Sequence, residues 1–190
     1  MKIAIDIDDT LAQTLYFILH QFNLEHDTDY IPDSSKTNFI QDLLKDQYYR
    51  EYVDAFIIRI MKEKFHQIDI FPHAKDVILA LKKKHSLIIL TSRGQDLREE
   101  TFEWLKQHNI YDVFDDIQLL NKVSTLGGKD KGEACQKLGI TVLIEDSVSH
   151  ILSAADKGVK VFVRDRPWNR HIEHENVIRF FDWSELLEKI

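Results

Sequence analysis

Only one cysteine, Cys135, occurs in the chain, so no disulfide can form within it, and such usage suits a reducing compartment. No apolar run approaches the length that crosses a bilayer, and the few residues between the Met-Lys start and Asp6 are too short for the core of a signal peptide. The expectation is a soluble, cytoplasmic protein with no membrane partner. Basic surface is also scarce. A formal charge of -7 disfavours a nucleic acid polymer as partner, because duplex binding relies on cationic surface to displace counterions. A small anionic ligand is not excluded, since a metal ion and a few lysines or arginines reverse the field locally. Internal repeats and low-complexity tracts are absent. With 190 residues, the chain can bury about 70% of its unfolded surface without disulfides or a structural metal.

What is present is a series of five short runs rich in Ile, Val and Leu: Ile3 to Ile5, Leu87 to Leu90, Ile117 to Leu120, Val142 to Ile144, and Val159 to Val163. Each reads as a strand buried on both faces. Helical spacing separates the later runs, as with Val77 and Leu81, Phe102 and Leu105, and Ile151, Leu152 and Ala155. Strand alternating with helix predicts an α/β fold with a doubly wound, parallel, five-stranded Rossmann-like sheet. The first two runs are far further apart than one crossover requires. Residues 13–71 hold no convincing strand but much helical pattern, including Phe56, Ile57, Ile60, Met61 and Phe65. They read as a helical subdomain inserted into a sheet domain made of residues 1–12 and 72–190, with Pro32-Asp33-Ser34-Ser35 as an internal loop and Pro72 at the return. Most of the chain's phenylalanines and tyrosines lie in this insertion. They either line a pocket for a flat substrate, with Tyr16 and Phe17 as candidate contacts, or form the insertion's own core, the commoner use of any single aromatic.

Open parallel sheets bind ligands at the carboxyl ends of their strands. There the first run gives Asp6-Ile7-Asp8-Asp9-Thr10, the second Thr91-Ser92-Arg93, and the fourth Glu145-Asp146-Ser147, while Lys131 opens the helix before the fourth run. Three aspartates within four positions repel one another unless a cation gathers them, and oxygen-only ligands suit Mg²⁺. Asp146, on another strand end, is placed to complete such a site. With a phosphate held there, one carboxylate can attack phosphorus while a second carboxylic acid protonates the leaving oxygen and later activates water. Asp6 and Asp8, two apart on extended chain, would share one side of the backbone, and Asp9 would point away. Thr91 and Lys131 offer the donor and the cation that developing phosphoryl charge requires.

The pattern Asp6-x-Asp8-x-Thr10-Leu11, a strand ending in Thr91, Lys131 ahead of a strand, and Glu145-Asp146 at that strand's end resembles, in order, the four motifs of haloacid dehalogenase superfamily phosphatases. The resemblance spans roughly residues 1 to 165 and places the insertion where that family carries a cap. It implies that Asp6 is the nucleophile and Asp8 the acid/base. It further implies Thr91, Ser92 and Lys131 as phosphate ligands, and Mg²⁺ held by Asp6, the Asp8 carbonyl and Asp146. Within the superfamily, the small chain, the helical cap, the Thr91-Ser92 pair and the acidic pair at 145 and 146 most resemble the 5'(3')-deoxyribonucleotidase group. That likeness implies a nucleoside monophosphate as substrate. The chain departs from the group in having Thr10-Leu11 where Gly-Val is common, Arg93 where Pro is common, and Glu145 where Asp is frequent.

Other readings compete. Arg93 either grips a second substrate anion or forms a surface salt bridge. Lys129 rivals Lys131, which is favoured because Gly132-Glu133-Ala134-Cys135 continues as a helix from it. Gly127-Gly128-Lys129 lacks the spacing of a phosphate-binding loop. His171 and His174 read as solvated residues, and Arg164 to Arg170 as a structural loop. A small sugar or organic acid phosphate is the alternative substrate class. A phospho-receiver signalling domain also uses strand-end aspartates, a hydroxyl, a lysine and Mg²⁺, but here no Asp follows the second or third run and the insertion would go unexplained. Oligomeric state, monomer or homodimer, stays open.

Overall fold

The computed structural model describes residues 1–31, 44, 48–120 and 130–190. Among them are six strands: β1 (Lys2–Ile5), β2 (Ser86–Thr91), β3 (Asp116–Leu119), β4 (Val142–Glu145), β5 (Lys160–Arg164) and β6 (Val177–Phe180). They form one sheet in the order β3-β2-β1-β4-β5-β6, every pairing parallel. The helices are α1 (Thr14–His26), α2 (Arg50–Lys64), α3 (Ala74–Lys82), α4 (Arg98–Gln107), α5 (Lys131–Leu138), α6 (Val148–Asp156) and α7 (Leu186–Lys189). No helix among the described residues is long and apolar enough to cross a membrane.

The strand runs are continuous in hydrophobicity because alternate side chains enter different cores. Ile3, Ile5, Leu87, Ile89, Val142, Ile144 and Phe162 join α3, α4 and α7 on one face. Ala4, Ile88, Leu90, Leu143, Val161 and Val163 join α5 and α6 on the other. β1 lies between β2 and β4, with Ile3 opposite both Leu87 and Val142. Chain order reverses direction at β1, so its carboxyl end opens into the crevice where such sheets bind ligands.

The sheet has six strands where five were expected. Val177-Ile178-Arg179-Phe180 escapes the pattern because only Phe180 is fully buried. Arg179 interrupts the apolar run, its guanidinium bonding Asn169 and Asp165 instead. Such a short, half-exposed edge strand lacks the signal that double burial gives the central ones.

Between β1 and β2 the chain enters and leaves the helical segment side by side. Gln13 N donates to the Asp69 carbonyl at 3.0 Å and Phe71 N to the Leu11 carbonyl at 2.8 Å. The aromatic side chains there pack on one another, Phe22 lying 5.0 Å from both Tyr48 and Phe56, ring centre to ring centre. Their core is continuous with that of the sheet through Leu15, Ile18, Ile60 and Phe65. The expected loop at Pro32 to Ser35 lies outside the described residues.

On the opposite face, α5 and α6 touch at Gly132. A Cβ there would fall inside van der Waals contact of the Ser153 carbonyl oxygen. Asp130 caps α5 by accepting from Gly132 N at 2.8 Å, and it also binds Ser153 Oγ and Lys157 Nζ. This contact fixes the start of α5 and with it Lys131. Gly132→Ala is therefore expected to destabilise the fold by about 1–3 kcal/mol, as overpacking does; an unchanged urea midpoint would show that the helices can part freely.

Candidate active site at the strand ends

Asp6 continues the β1–β4 pairing by one residue, its N–H donating to the Ile144 carbonyl at 3.0 Å. Beyond Ile7 the chain turns sharply. Leu11 N and Ala12 N both donate to the Ile7 carbonyl at 2.8 Å, and Asp9 adopts φ 54°, a left-handed conformation that Asp tolerates better than most residues. This reversal corrects one expectation. Asp9 does not point away but is buried and lines the same cleft as Asp6 and Asp8, because the two-residue alternation of extended chain ends at Ile7.

The cleft measures about 190 Å³ and is lined by acidic and hydroxyl groups together with Lys131 and His150. At its centre is Lys131, 1% exposed, which donates to Asp6 Oδ1 at 2.5 Å and Glu145 Oε2 at 2.6 Å. Glu145 Oε1 accepts from the N–H groups of Asp146 and Ser147 at 3.2 and 2.9 Å. Asp146 accepts from Thr10 Oγ1 at 3.2 Å and Trp168 Nε1 at 3.1 Å. Asp6, Glu145 and Asp146 each present a carboxylate oxygen, all within 4.8 Å of one another, as a possible metal-binding group among the described residues.

Such a cluster is electrostatically unfavourable without a countercharge. Burial first, then Glu145 and Asp8, push the Asp6 carboxyl up to about 8 against the pull of Lys131. Burial, Glu145, Asp9 and Asp6 raise Asp146 well above the usual carboxylate range, with Arg166 opposing. For Glu145, burial also opposes ionisation, but Lys131 outweighs it and the carboxyl is held low. An oxygen-only donor set of this charge fits a hard divalent cation, which would supply the missing positive charge. Burial, and then Lys131, lower His150 to about 4, so its ring is neutral at pH 7; its Nε2 lies 2.9 Å from Ser92 Oγ.

Of the residues singled out in the sequence, Asp6, Asp8, Ser92, Lys131 and Asp146 line the cleft. Thr91 does not; it is fully buried, its Oγ1 accepting from Arg93 N at 3.3 Å. Tyr16 is exposed on α1 and Phe17 is half-buried against the core, neither lining the cleft. Arg93 is no surface residue, and its guanidinium faces Asp8. Lys129 and the glycines before it lie outside the described residues. The loop after β5, read from sequence as structural, also supports the site. Trp168 and Asn169 bind Asp146 through its carboxylate and carbonyl, and Arg166 donates twice to the Asp9 carbonyl at 3.1 and 3.2 Å. The signal available for these residues was their position beyond a strand's carboxyl end.

Residues 3–164 match the family model of the haloacid dehalogenase-like hydrolases. The nucleotidase CA_C3379 of Clostridium acetobutylicum is 26% identical over 188 residues, covering 98% of this chain and 91% of that protein. YqfW of Bacillus subtilis, provisionally named a nucleotidase, is 27% identical, covering 99% and 92% respectively. Among solved structures, the haloacid dehalogenase-like hydrolase SP0104 of Streptococcus pneumoniae superposes with a TM-score of 0.72 at 16% identity, covering 99% of this chain and 97% of that one. YfnB of Bacillus subtilis, provisionally assigned to the same superfamily and solved bound to magnesium, gives 0.67 at 15% identity with the same coverage.

Proposed function

Since the chain belongs to the haloacid dehalogenase-like hydrolases, we propose that it hydrolyses phosphomonoesters through a phospho-aspartate on Asp6, and that its substrate is a (deoxy)ribonucleoside monophosphate. The observation that carries the chemistry is the buried Lys131 bonded to Asp6 beside Asp146, with Asp8 two residues further on in the same cleft. The nucleotide preference draws on relatives named as nucleotidases that match almost the whole chain.

In this reading an Asp6 carboxylate oxygen attacks phosphorus, the bond to the leaving oxygen breaks, and Asp8 gives that oxygen its proton. Water then attacks phosphorus, Asp8 takes a proton from it, and the bond to Asp6 breaks to release phosphate. Lys131 holds Asp6 in place and offers its charge to the phosphoryl oxygens, to which Ser92 is the hydroxyl donor in the cleft, while Thr91, buried behind it, accepts from Arg93 N. Glu145 keeps Lys131 oriented. Mg²⁺, held by Asp6, Asp146 and the Asp8 carbonyl, would when bound neutralise charge building on the phosphoryl group. Residues 13–71 act as a cap over a core of residues 1–12 and 72–190, joined through the paired backbone at residues 11–13 and 69–71. The aromatic side chains described there are mostly committed to packing, so substrate choice rests on fewer of them than composition suggests.

The test is phosphate release by purified protein with Mg²⁺ across a panel of monophosphates. Turnover of dTMP and dUMP above phosphoglycolate is the expected result. Faster turnover of phosphoglycolate would move the substrate to small acid phosphates and leave the chemistry standing. Silence across the whole panel would remove the chemistry as well.

A further inference from the structure

Arg93 is the most heavily engaged cation near the cleft that the reaction scheme leaves without a task. Its side chain is 3% exposed. Nε donates to Asp8 Oδ2 at 2.9 Å and Nη2 to Asp8 Oδ1 at 2.6 Å, a two-pronged grip on one carboxylate. Nη1 donates to Thr101 Oγ1 at 3.1 Å, and that hydroxyl in turn donates a hydrogen bond to the Leu97 carbonyl at 2.6 Å. The guanidinium carbon sits 3.7 Å from the centre of the Phe65 ring. From the other side, Thr14 Oγ1 donates to Asp8 Oδ1 at 2.7 Å. Three of its five N–H donors, one on each nitrogen, are thus bonded to protein, and the grip on Asp8 is a role beside the two that the sequence left open, a second substrate anion or a surface salt bridge.

A planar guanidinium bonded to both oxygens of a carboxylate fixes its plane as well as its position, which an ammonium cannot do. Here the guanidinium is itself fixed by Phe65 at the end of α2 and Thr101 on α4. We propose that Arg93 is a positioning residue that sets the orientation of the Asp8 carboxylate for proton transfer. The inference rests on the phosphatase reading above. The leaving oxygen and the later attacking water occupy the same in-line position relative to Asp6, so one fixed orientation of Asp8 serves both steps. Arg93 acts through Asp8 and touches no reacting atom.

An orienting role has a signature that a merely structural one lacks. Protonating the leaving oxygen matters greatly for an alkyl ester such as dTMP and little for p-nitrophenyl phosphate, whose phenolate leaves unaided. The comparison is kcat/KM, which reports the first phosphoryl transfer, on both esters for wild type, Arg93→Ala and Arg93→Lys, with thermal unfolding of each. The lysine variant keeps the charge and an aliphatic stem but loses the fork, so it serves if the alanine variant does not fold. Both variants are expected to lose roughly 10- to 100-fold more on dTMP than on the aryl ester, less than the roughly 10²–10⁴-fold that general acid catalysis supplies because Asp8 itself remains. Parallel losses on the two esters, or wild-type rates in Arg93→Lys, would overturn the orienting role. A wild type inactive on both esters would overturn the phosphatase reading and this inference with it, whereas an active wild type with an unchanged ratio in the variants would sink the inference alone.

Discussion

Replacing Asp6 with Asn is expected to abolish turnover, by at least about 10⁴-fold, the order lost when a hydrolase nucleophile is removed, while the fold is retained. The amide is nearly isosteric with the carboxylate, and its oxygen can still accept the Lys131 hydrogen bond that Asp6 Oδ1 accepts now. It carries no charge and does not attack phosphorus, so binding groups remain while the reacting one is lost. Structure should be kept because the Asp6 N–H bond to the Ile144 carbonyl is backbone to backbone, and because removing one of three mutually repelling carboxylates relieves the cluster more than it damages it. Phosphate release and circular dichroism on the same preparation check both halves. A variant that keeps more than about 1% of the wild-type rate would place the nucleophile elsewhere.

What the sequence made legible, and what it did not, follows from how far each feature depends on distant contacts. The central strands announce themselves because Ile3, Ala4 and Ile5 are all buried, alternating between two cores. Double burial leaves no polar positions to blur the run. β6 is hidden because its burial is partial and Arg179 has partners outside the strand. The meeting of Asp6 and Asp146 was readable from a topological rule, since parallel strands bring their carboxyl ends together whatever the loops do, whereas Lys131 was chosen over Lys129 only because a helix runs on from it, and the start of that helix brings it to Asp6. Asp9 was misplaced because periodicity holds only while chain is extended, and here the backbone turns at Ile7. Arg93 could not be assigned because its partner Asp8 is 85 positions away and nothing local distinguishes a clamp from a surface pair. The Asp146 supports, Trp168 and Asn169, are hidden for the same reason.

Chelating divalent cations is expected to extinguish phosphate release and to lower the unfolding temperature, and the second effect isolates the metal site from the chemistry. Asp6, Glu145 and Asp146 are all buried and present oxygens within 4.8 Å of one another, with Lys131 bonded to two of them. One ammonium against three carboxylates leaves the cluster short of positive charge, so a divalent cation is expected to bind the folded chain and not the unfolded one. At a concentration 100 times its dissociation constant, such a ligand adds about 2.7 kcal/mol of stability. Asp146→Asn separates this gain from general salt effects. Thr10 can still donate to the amide oxygen, but an amide nitrogen then faces the Trp168 N–H that Asp146 accepts now. The variant should lose about 1 kcal/mol of baseline stability for that unmade bond and, separately, most of the increment that Mg²⁺ gives the wild type. The measurement is thermal unfolding of both proteins with Mg²⁺ and with chelator at matched ionic strength, since screening alone shifts exposed charges. An equal Mg²⁺ increment in wild type and variant would exclude Asp146 from the site, and turnover that survives the chelator would mean that Lys131 alone meets the charge of the transferring phosphoryl group.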